Sequence, residues 1–135
     1  MTEDRIEIKV YYEDTDCGGV VYYANYLRYF ERARTEYLEQ RGVSLKELME
    51  KGICFVVVDA SAHYRQPGRY GDILMIETDI ADKGAASITF SHQVMRKQTG
   101  ELLVSGLVKL ASVSEQMKPI KLPESVLQVL AVRRS

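Results

Sequence analysis

Polar and apolar positions change rhythm several times along this chain, and each change marks an element. From Arg5 to Asp14 they alternate, with Ile6, Ile8, Val10 and Tyr12 on one side and Arg5, Glu7, Lys9 and Glu13 on the other, the period of a half-buried strand. Gly18-Gly19 ends that strand. Tyr23, Tyr26, Leu27, Phe30, Ala33, Tyr37 and Leu38 then recur at steps of three and four, which predicts a long helix ending near Arg41-Gly42, where the glycine suits a C-cap. Ser44 with Glu47 three residues on has the form of a capping box and predicts a second, short helix through about Lys51. Beyond Cys54 alternation returns. Val56, Val58, Ala60, Ala62 and Tyr64 form one strand face. Further faces follow: Leu74, Ile76, Thr78 and Ile80, then Ile88, Phe90, His92 and Val94, then Leu102, Val104, Val108 and Leu110. Pro67-Gly68, Asp82-Lys83-Gly84 and Thr99-Gly100 read as the turns between them. Pro119 and Pro123 interrupt the chain before a terminal helix predicted for Glu124 to Val132.

Strand, long helix, short helix and four strands in succession is an α+β order rather than alternating βα units. One antiparallel sheet of about five strands with one long helix against it satisfies the pattern. Its edge strands expose unpaired backbone groups unless another subunit covers them, so a dimer is expected. A chain of 135 residues fits a single domain spanning 1–135. The 18 basic residues against 19 acidic ones exclude nonspecific nucleic-acid binding as a main role, because phosphate affinity comes from excess positive charge. The charged start Met1-Thr2-Glu3-Asp4-Arg5 lacks the apolar stretch of a signal peptide and no run is long enough to span a bilayer, so the expected compartment is the cytoplasm. There Cys17 and Cys54 would be free thiols. His63 and His92 stand apart from any second ligand at a metal-binding spacing, and neither a G-x-G-x-x-G nor a P-loop is present, so no metal or nucleotide cofactor is expected.

Nine Tyr and no Trp make up most of the aromatic content, and seven of those Tyr fall in the first 37 residues. They surround the segment with the most chemistry in it, Glu13 to Arg34. Three acidic residues, Glu13, Asp14 and Asp16, precede Gly18-Gly19, and a helix follows. Glycines permit a tight turn or a close backbone approach, and a helix start offers unpaired N–H groups at the positive end of its dipole. A carboxylate on that turn and an N–H pair just beyond it are the two parts acyl transfer needs. An Asp before a helix is also a common cap, and a glycine pair is also a common turn, so spacing alone leaves both readings open.

The segment resembles the signature of hotdog-fold acyl-CoA thioesterases of the 4-hydroxybenzoyl-CoA thioesterase type, and most closely the branch associated with the Tol-Pal envelope system. The resemblance is carried by Tyr11-Tyr12-Glu13-Asp14-Thr15-Asp16, Gly19-Val20-Val21-Tyr22, Asn25-Tyr26 and Glu31-Arg32-Ala33-Arg34, and continues through Phe55-Val56-Val57, Pro67, Gly84 and Met117-Lys118-Pro119. It implies a sheet wrapped around a central helix, a homodimer whose sheets join, and commonly a homotetramer made of two dimers. It also implies that Asp16 is catalytic, as general base or nucleophile, that the backbone N–H of Tyr23 is the oxyanion donor, and that Gly19 lets the thioester carbonyl approach. Tyr22 and Tyr26 fall on the acyl side. The reaction implied is hydrolysis of an acyl-CoA to a free carboxylic acid and CoA. Two positions depart from the pattern: Tyr23 stands where that branch usually has His, and the loop that carries a basic cluster for CoA phosphates in the aryl-CoA branch keeps only Lys83. Arg65 and Arg69 beside Pro67 are further candidates for those phosphates.

Other residues compete for a role. Cys17 adjoins Asp16 but has no local base to populate its thiolate. His92 shares a face with Ile88 and Phe90 and reads as a core or interface histidine, whereas His63 on the opposite face reads as exposed. Arg34 lies in the apolar stripe and calls for a carboxylate, with Asp14 and Glu31 as candidates. Two rival functions remain. Hydration of an enoyl thioester normally needs a His in the helix region, where Tyr22 to Arg41 has none. A noncatalytic dimeric module docking an acyl carrier protein or an envelope-associated partner is permitted by fold alone.

Overall fold

A computed structural model of the chain describes residues 4–131. Five strands, β1 (Arg5–Lys9), β2 (Cys54–Tyr64), β3 (Ile73–Lys83), β4 (Ser87–Arg96) and β5 (Leu102–Val113), form one antiparallel sheet in the order β1-β3-β4-β5-β2. Helix α1 (Tyr23–Gln40) packs on the inner face, with α2 (Leu45–Glu50) following it and α3 (Glu124–Val129) closing the far end. The N–H of Glu47 donates to Ser44 Oγ at 3.2 Å, the first half of the expected capping box. Of the predicted terminal helix, Val132 lies outside the described residues.

Strict alternation in β3 and β4 delivers their inner faces to α1. Leu74, Ile76, Thr78, Ile80, Ile88, Phe90, His92 and Val94 are all buried. Opposite them α1 contributes Tyr26, Tyr29, Phe30, Ala33, Tyr37 and Leu38. The tightest point of this packing is Phe30. Its ring stacks on the His92 imidazole, centroids 4.7 Å apart and planes 6° from parallel, and it lies directly over Gly106 of β5, where a Cβ would come within 2.5 Å of the ring. Gly106 is thus the hole into which the helix is seated.

Three expectations need correction. The first strand ends at Lys9 rather than Asp14, because Tyr12–Asp14 winds into a 3-10 turn. Local side chains win there: Asp14 Oδ2 accepts the N–H of Tyr11 at 2.9 Å and Thr15 Oγ1 donates to the Tyr12 carbonyl at 2.7 Å, replacing ladder bonds. In β2 a bulge between Val57 and Asp59 shifts the register against β5. Because side chains alternate with a period of two, that one extra residue moves Val56 to the face opposite Ala60 and Ala62 and brings Phe55 onto the core. The third concerns β5, where Leu103 as well as Val104 is buried, since consecutive Val94 and Met95 of β4 pair with Val104 and Leu102 and leave Leu103 as an extra residue in β5. No helix among the described residues is long and apolar enough to cross a membrane.

Candidate active site

The chain between the 3-10 turn and α1 is a miniature hairpin. Thr15 pairs with Val21, the N–H of Asp16 donates to the Val20 carbonyl at 2.9 Å, and the N–H of Gly19 closes the turn on the Asp16 carbonyl at 3.1 Å. Gly19 has φ +78°, a left-handed conformation that a side chain there would strain. The Asp16 side chain is exposed at this corner, with Oδ1 accepting the N–H of Gly18 at 2.8 Å. Two residues after the hairpin's last paired residue, Val21, α1 begins, so the glycine pair and the helix start predicted from the sequence adjoin each other. Tyr23 is the first helical residue, and its N–H, like that of Ala24, has no intrahelical acceptor.

The hairpin is docked against the segment joining β2 to β3. Val21 N–H donates to the Gly68 carbonyl at 2.8 Å, Tyr70 N–H to the Gly19 carbonyl at 3.1 Å, and Val20 bridges Arg69. Gly68 is tightly enclosed: a Cβ would stand 3.2 Å from both the Tyr26 hydroxyl and a Val21 methyl. Between this strap, the end of β2 and α1 opens a groove of about 330 Å3, lined by Val20, Val21, Tyr23, Tyr26, Tyr64, Arg65, Gln66 and Pro67. Its walls are aromatic. The Tyr64 ring lies 4.8 Å from that of Tyr23 and 5.7 Å from that of Tyr26, centroid to centroid. A larger hollow of about 670 Å3 between β1 and α1 is lined by Glu7, Glu13, Asp14, Glu31 and Glu36 among others and includes none of the predicted site residues.

The predicted residues therefore divide. Asp16, Gly19, Tyr22, Tyr23, Arg65 and Arg69 gather at one end of the fold, with Tyr22 and Tyr23 both exposed. Tyr26 contributes a groove wall, but its hydroxyl is committed to the fold, accepting the N–H of Gly68 at 3.0 Å, and burial raises its pKa. Lys83 is elsewhere. It ends β3, ten residues and about 33 Å of strand from the end beside Gly19. Its ammonium donates to the carbonyls of Leu127 at 2.8 Å and Leu130, capping the end of α3. Within one protomer it is a structural cation, remote from Asp16.

The competing residues resolve as well. His92 is fully buried, its Nδ1 3.0 Å from Thr78 Oγ1, and burial, with the nearby Arg34 charge adding to it, pushes its pKa down to about 3. It is a neutral core histidine. Arg34 is buried and closes no ion pair among the described residues, against the expectation of a carboxylate partner; burial lowers its pKa and the Glu31 charge partly offsets this. Asp14 is engaged elsewhere, its carboxylate on Tyr11 N–H and its charge beside the buried Tyr29 hydroxyl, whose pKa is raised first by burial and then by Asp14. That hydroxyl closes no hydrogen bond of normal geometry. His63 and Cys17 are exposed, and both cysteines are free.

Residues that spacing does not single out hold the site together. Arg96 of β4 donates through Nε to Asp72 Oδ2 at 3.0 Å and through Nη2 to the Pro67 carbonyl at 2.9 Å, and the N–H of Arg69 reaches the same Asp72 oxygen at 2.9 Å. These contacts fix the strap. Asn25, present in the signature without a role of its own, donates from Nδ2 to the Asp14 carbonyl at 2.8 Å.

A five-stranded antiparallel sheet curled on one long helix, with a glycine hairpin feeding the helix start, defines a hotdog-fold protein. Residues 10–130 match the model of the thioesterase-like superfamily, and the chain belongs to that family. It is 41% identical over 121 residues to the acyl-CoA thioesterase YbgC of Haemophilus influenzae, covering 88% of each chain. To the acyl-CoA thioester hydrolase YbgC of Escherichia coli it is 37% identical over 122 residues, covering 90% of this chain and 91% of the relative. A DHNA-CoA thioesterase from Staphylococcus aureus superposes with a TM-score of 0.83 at 27% identity, covering 87% of this chain and 78% of that one.

Proposed function

We propose that this chain is an acyl-CoA thioester hydrolase in which Asp16 supplies the base or nucleophile and the Tyr23 N–H holds the developing oxyanion. It cleaves the C–S bond of an acyl-CoA to give a free carboxylic acid and CoA. The observation that carries the assignment of residues is the hairpin: Asp16 and Gly19 close its turn, and it leads straight into a helix start whose first N–H groups have no acceptor. In the general-base route Asp16 takes a proton from water and the oxygen attacks the thioester carbonyl. The oxyanion is stabilised by the Tyr23 N–H, and collapse expels the CoA thiolate, which recovers the proton. In the nucleophilic route an Asp16 oxygen attacks, CoA leaves, and water hydrolyses the mixed anhydride. Gly19 keeps the approach to the carbonyl clear. The aromatic groove takes the acyl group, and Arg65 and Arg69 at its rim attract the CoA phosphates, a role for which Lys83 is badly situated in the same protomer.

The active species is a homodimer, with a tetramer as a pair of dimers. Supporting this, β2 is an edge strand whose Val57 and Val58 are each 54% exposed, and Tyr64 at its end and Leu27 of α1 are exposed as well. The partner is a second copy of this chain, and it completes a groove that one protomer leaves open. A cytoplasmic location fits the two free thiols. The alternative of a noncatalytic module for an acyl carrier protein is weakened by the carboxylate-bearing hairpin that leads into helix N–H groups without an intrahelical acceptor, which a docking surface does not need.

Purified protein given short, long and aromatic acyl-CoA substrates with a thiol-detecting dye tests this reading. We expect CoA release by the wild type, and a loss of about 10²–10⁴-fold in kcat in Asp16→Asn. Full activity in a folded Asp16→Asn protein overturns the assignment, and acyl-CoA binding without release by the wild type favours the module.

A further inference from the structure

Asn25 is buried in the first turn of α1, an unusual place for a residue with modest helix propensity, and its burial has a specific cause. Tyr22, the residue capping this helix, offers no side-chain acceptor to the first N–H groups. The helix start is held from outside instead. The carbonyl of Asp14 accepts two donors, the N–H of the capping Tyr22 at 3.0 Å and Asn25 Nδ2 of α1 at 2.8 Å. The Asp14 peptide is itself anchored, since its carboxylate accepts Tyr11 N–H at 2.9 Å and its N–H donates to the Tyr11 carbonyl at 3.0 Å. An ordinary Ser or Asp cap would place an acceptor over the second or third N–H of the helix. Here the fastening is moved away from that opening, leaving the N–H groups of Tyr23 and Ala24 to face whatever binds there.

We propose that Asn25 is a positioning residue for the thioester-hydrolysis step: its bond to the Asp14 carbonyl sets the direction of the Tyr23 N–H towards the oxyanion. The inference rests on the assignment of Tyr23 under Proposed function. Tyr23 and Ala24 lie between the two residues that bind Asp14, so this clamp governs the direction of both open N–H groups, including that of Tyr23. An N–H aimed by a clamp stabilises charge that develops only in the transition state, and therefore acts on kcat rather than on ground-state binding. A misplacement of about 1 Å in such a group costs on the order of 100-fold.

The test compares wild type, Asn25→Asp, Asn25→Ala and Asn25→Ser. Asn25→Asp keeps the size and replaces the donor by an acceptor facing the Asp14 carbonyl; Asn25→Ser keeps a shorter donor, so the series survives a failure of the Asp variant to fold. Measured are kcat and KM on an acyl-CoA, Tm, and the Kd of an acyl-CoA thioether, which has a methylene in place of the carbonyl and offers nothing to an oxyanion donor. We expect kcat to fall about 10- to 100-fold in Asn25→Ala, further in Asn25→Asp and less in Asn25→Ser, with KM and the thioether Kd within about threefold of wild type. Undiminished kcat in folded variants overturns the proposal, as does a parallel loss of kcat and thioether affinity that tracks Tm, the mark of a merely structural residue. Should wild type itself release no CoA from any acyl-CoA, the underlying reading fails, and this inference with it; a wild type that turns over while the Asn25 variants match it isolates the failure to Asn25.

Discussion

The middle of α1 and its beginning face opposite demands. Around Phe30 the helix is locked: an aromatic ring stacked on His92, a glycine beneath it with no space for a methyl group, and apolar side chains from β3 and β4 on either side. Seven residues earlier Tyr23 is 66% exposed, and its N–H and that of Ala24 have no intrahelical acceptor. The contrast shows how one element can serve both ends of the problem. Burial of the middle supplies the free energy that holds the start in place, so the start can keep its polar groups open for a ligand. The clamps at Asp14 and Gly68 transmit that rigidity to the hairpin and the strap.

Substitutions at the two ends should therefore separate activity from stability. The largest effect is that of Asp16→Asn, where a loss of 10²–10⁴-fold in kcat, about 3–5 kcal/mol in barrier, should leave the thermal transition unchanged. At the other end Gly106→Ala forces a methyl into the Phe30 ring. We expect destabilisation of about 1–3 kcal/mol in chemical unfolding, with kcat of the remaining folded protein retained at low temperature. A Gly106→Ala protein as stable as wild type would remove the basis of the comparison.

A pH series sharpens the contrast further. His92 has a folded pKa near 3 against an ordinary value of 6.5, so between those limits the unfolded chain binds the extra proton. Stability contributed by neutral His92 is complete above about pH 6.5 and declines as the pH falls towards 3, by at most about 1.4 kcal/mol per pH unit. In His92→Gln that component of the acid slope should vanish when unfolding free energies are compared between pH 7 and 4. The last substitution belongs to the seam between the two regions. Tyr26→Phe leaves the buried Gly68 N–H without its acceptor, at a cost of about 1–3 kcal/mol, and by loosening the strap it should raise KM more than it lowers kcat.

Much of this was legible along the chain because periodicity is local. The 3.6-residue stripe placed α1 to within a residue or two, and the two-residue period of β3 and β4 named their buried faces. It failed where a single local event changes the phase. The bulge at Val58 leaves no trace in a run of three valines, and the 3-10 turn at Tyr12–Asp14 is indistinguishable from alternation until Asp14 and Thr15 find their backbone partners. For the site, the hairpin residues Asp16 and Gly19 were readable because they are contiguous with the helix they serve. Arg96, Asp72 and Gly68 were not, since their relation to the hairpin passes through other strands.

The long helix, the buried faces of β3 and β4 and the family are written in short-range pattern or in a contiguous signature, and so can be read along the chain. That Lys83 caps α3 at the far end of β3, that Tyr26 spends its hydroxyl on Gly68, and that Asp14 fastens the helix start emerges only from the folded chain. Those roles are fixed by which backbone groups come within about 3 Å across the fold, a distance that sequence separation does not encode.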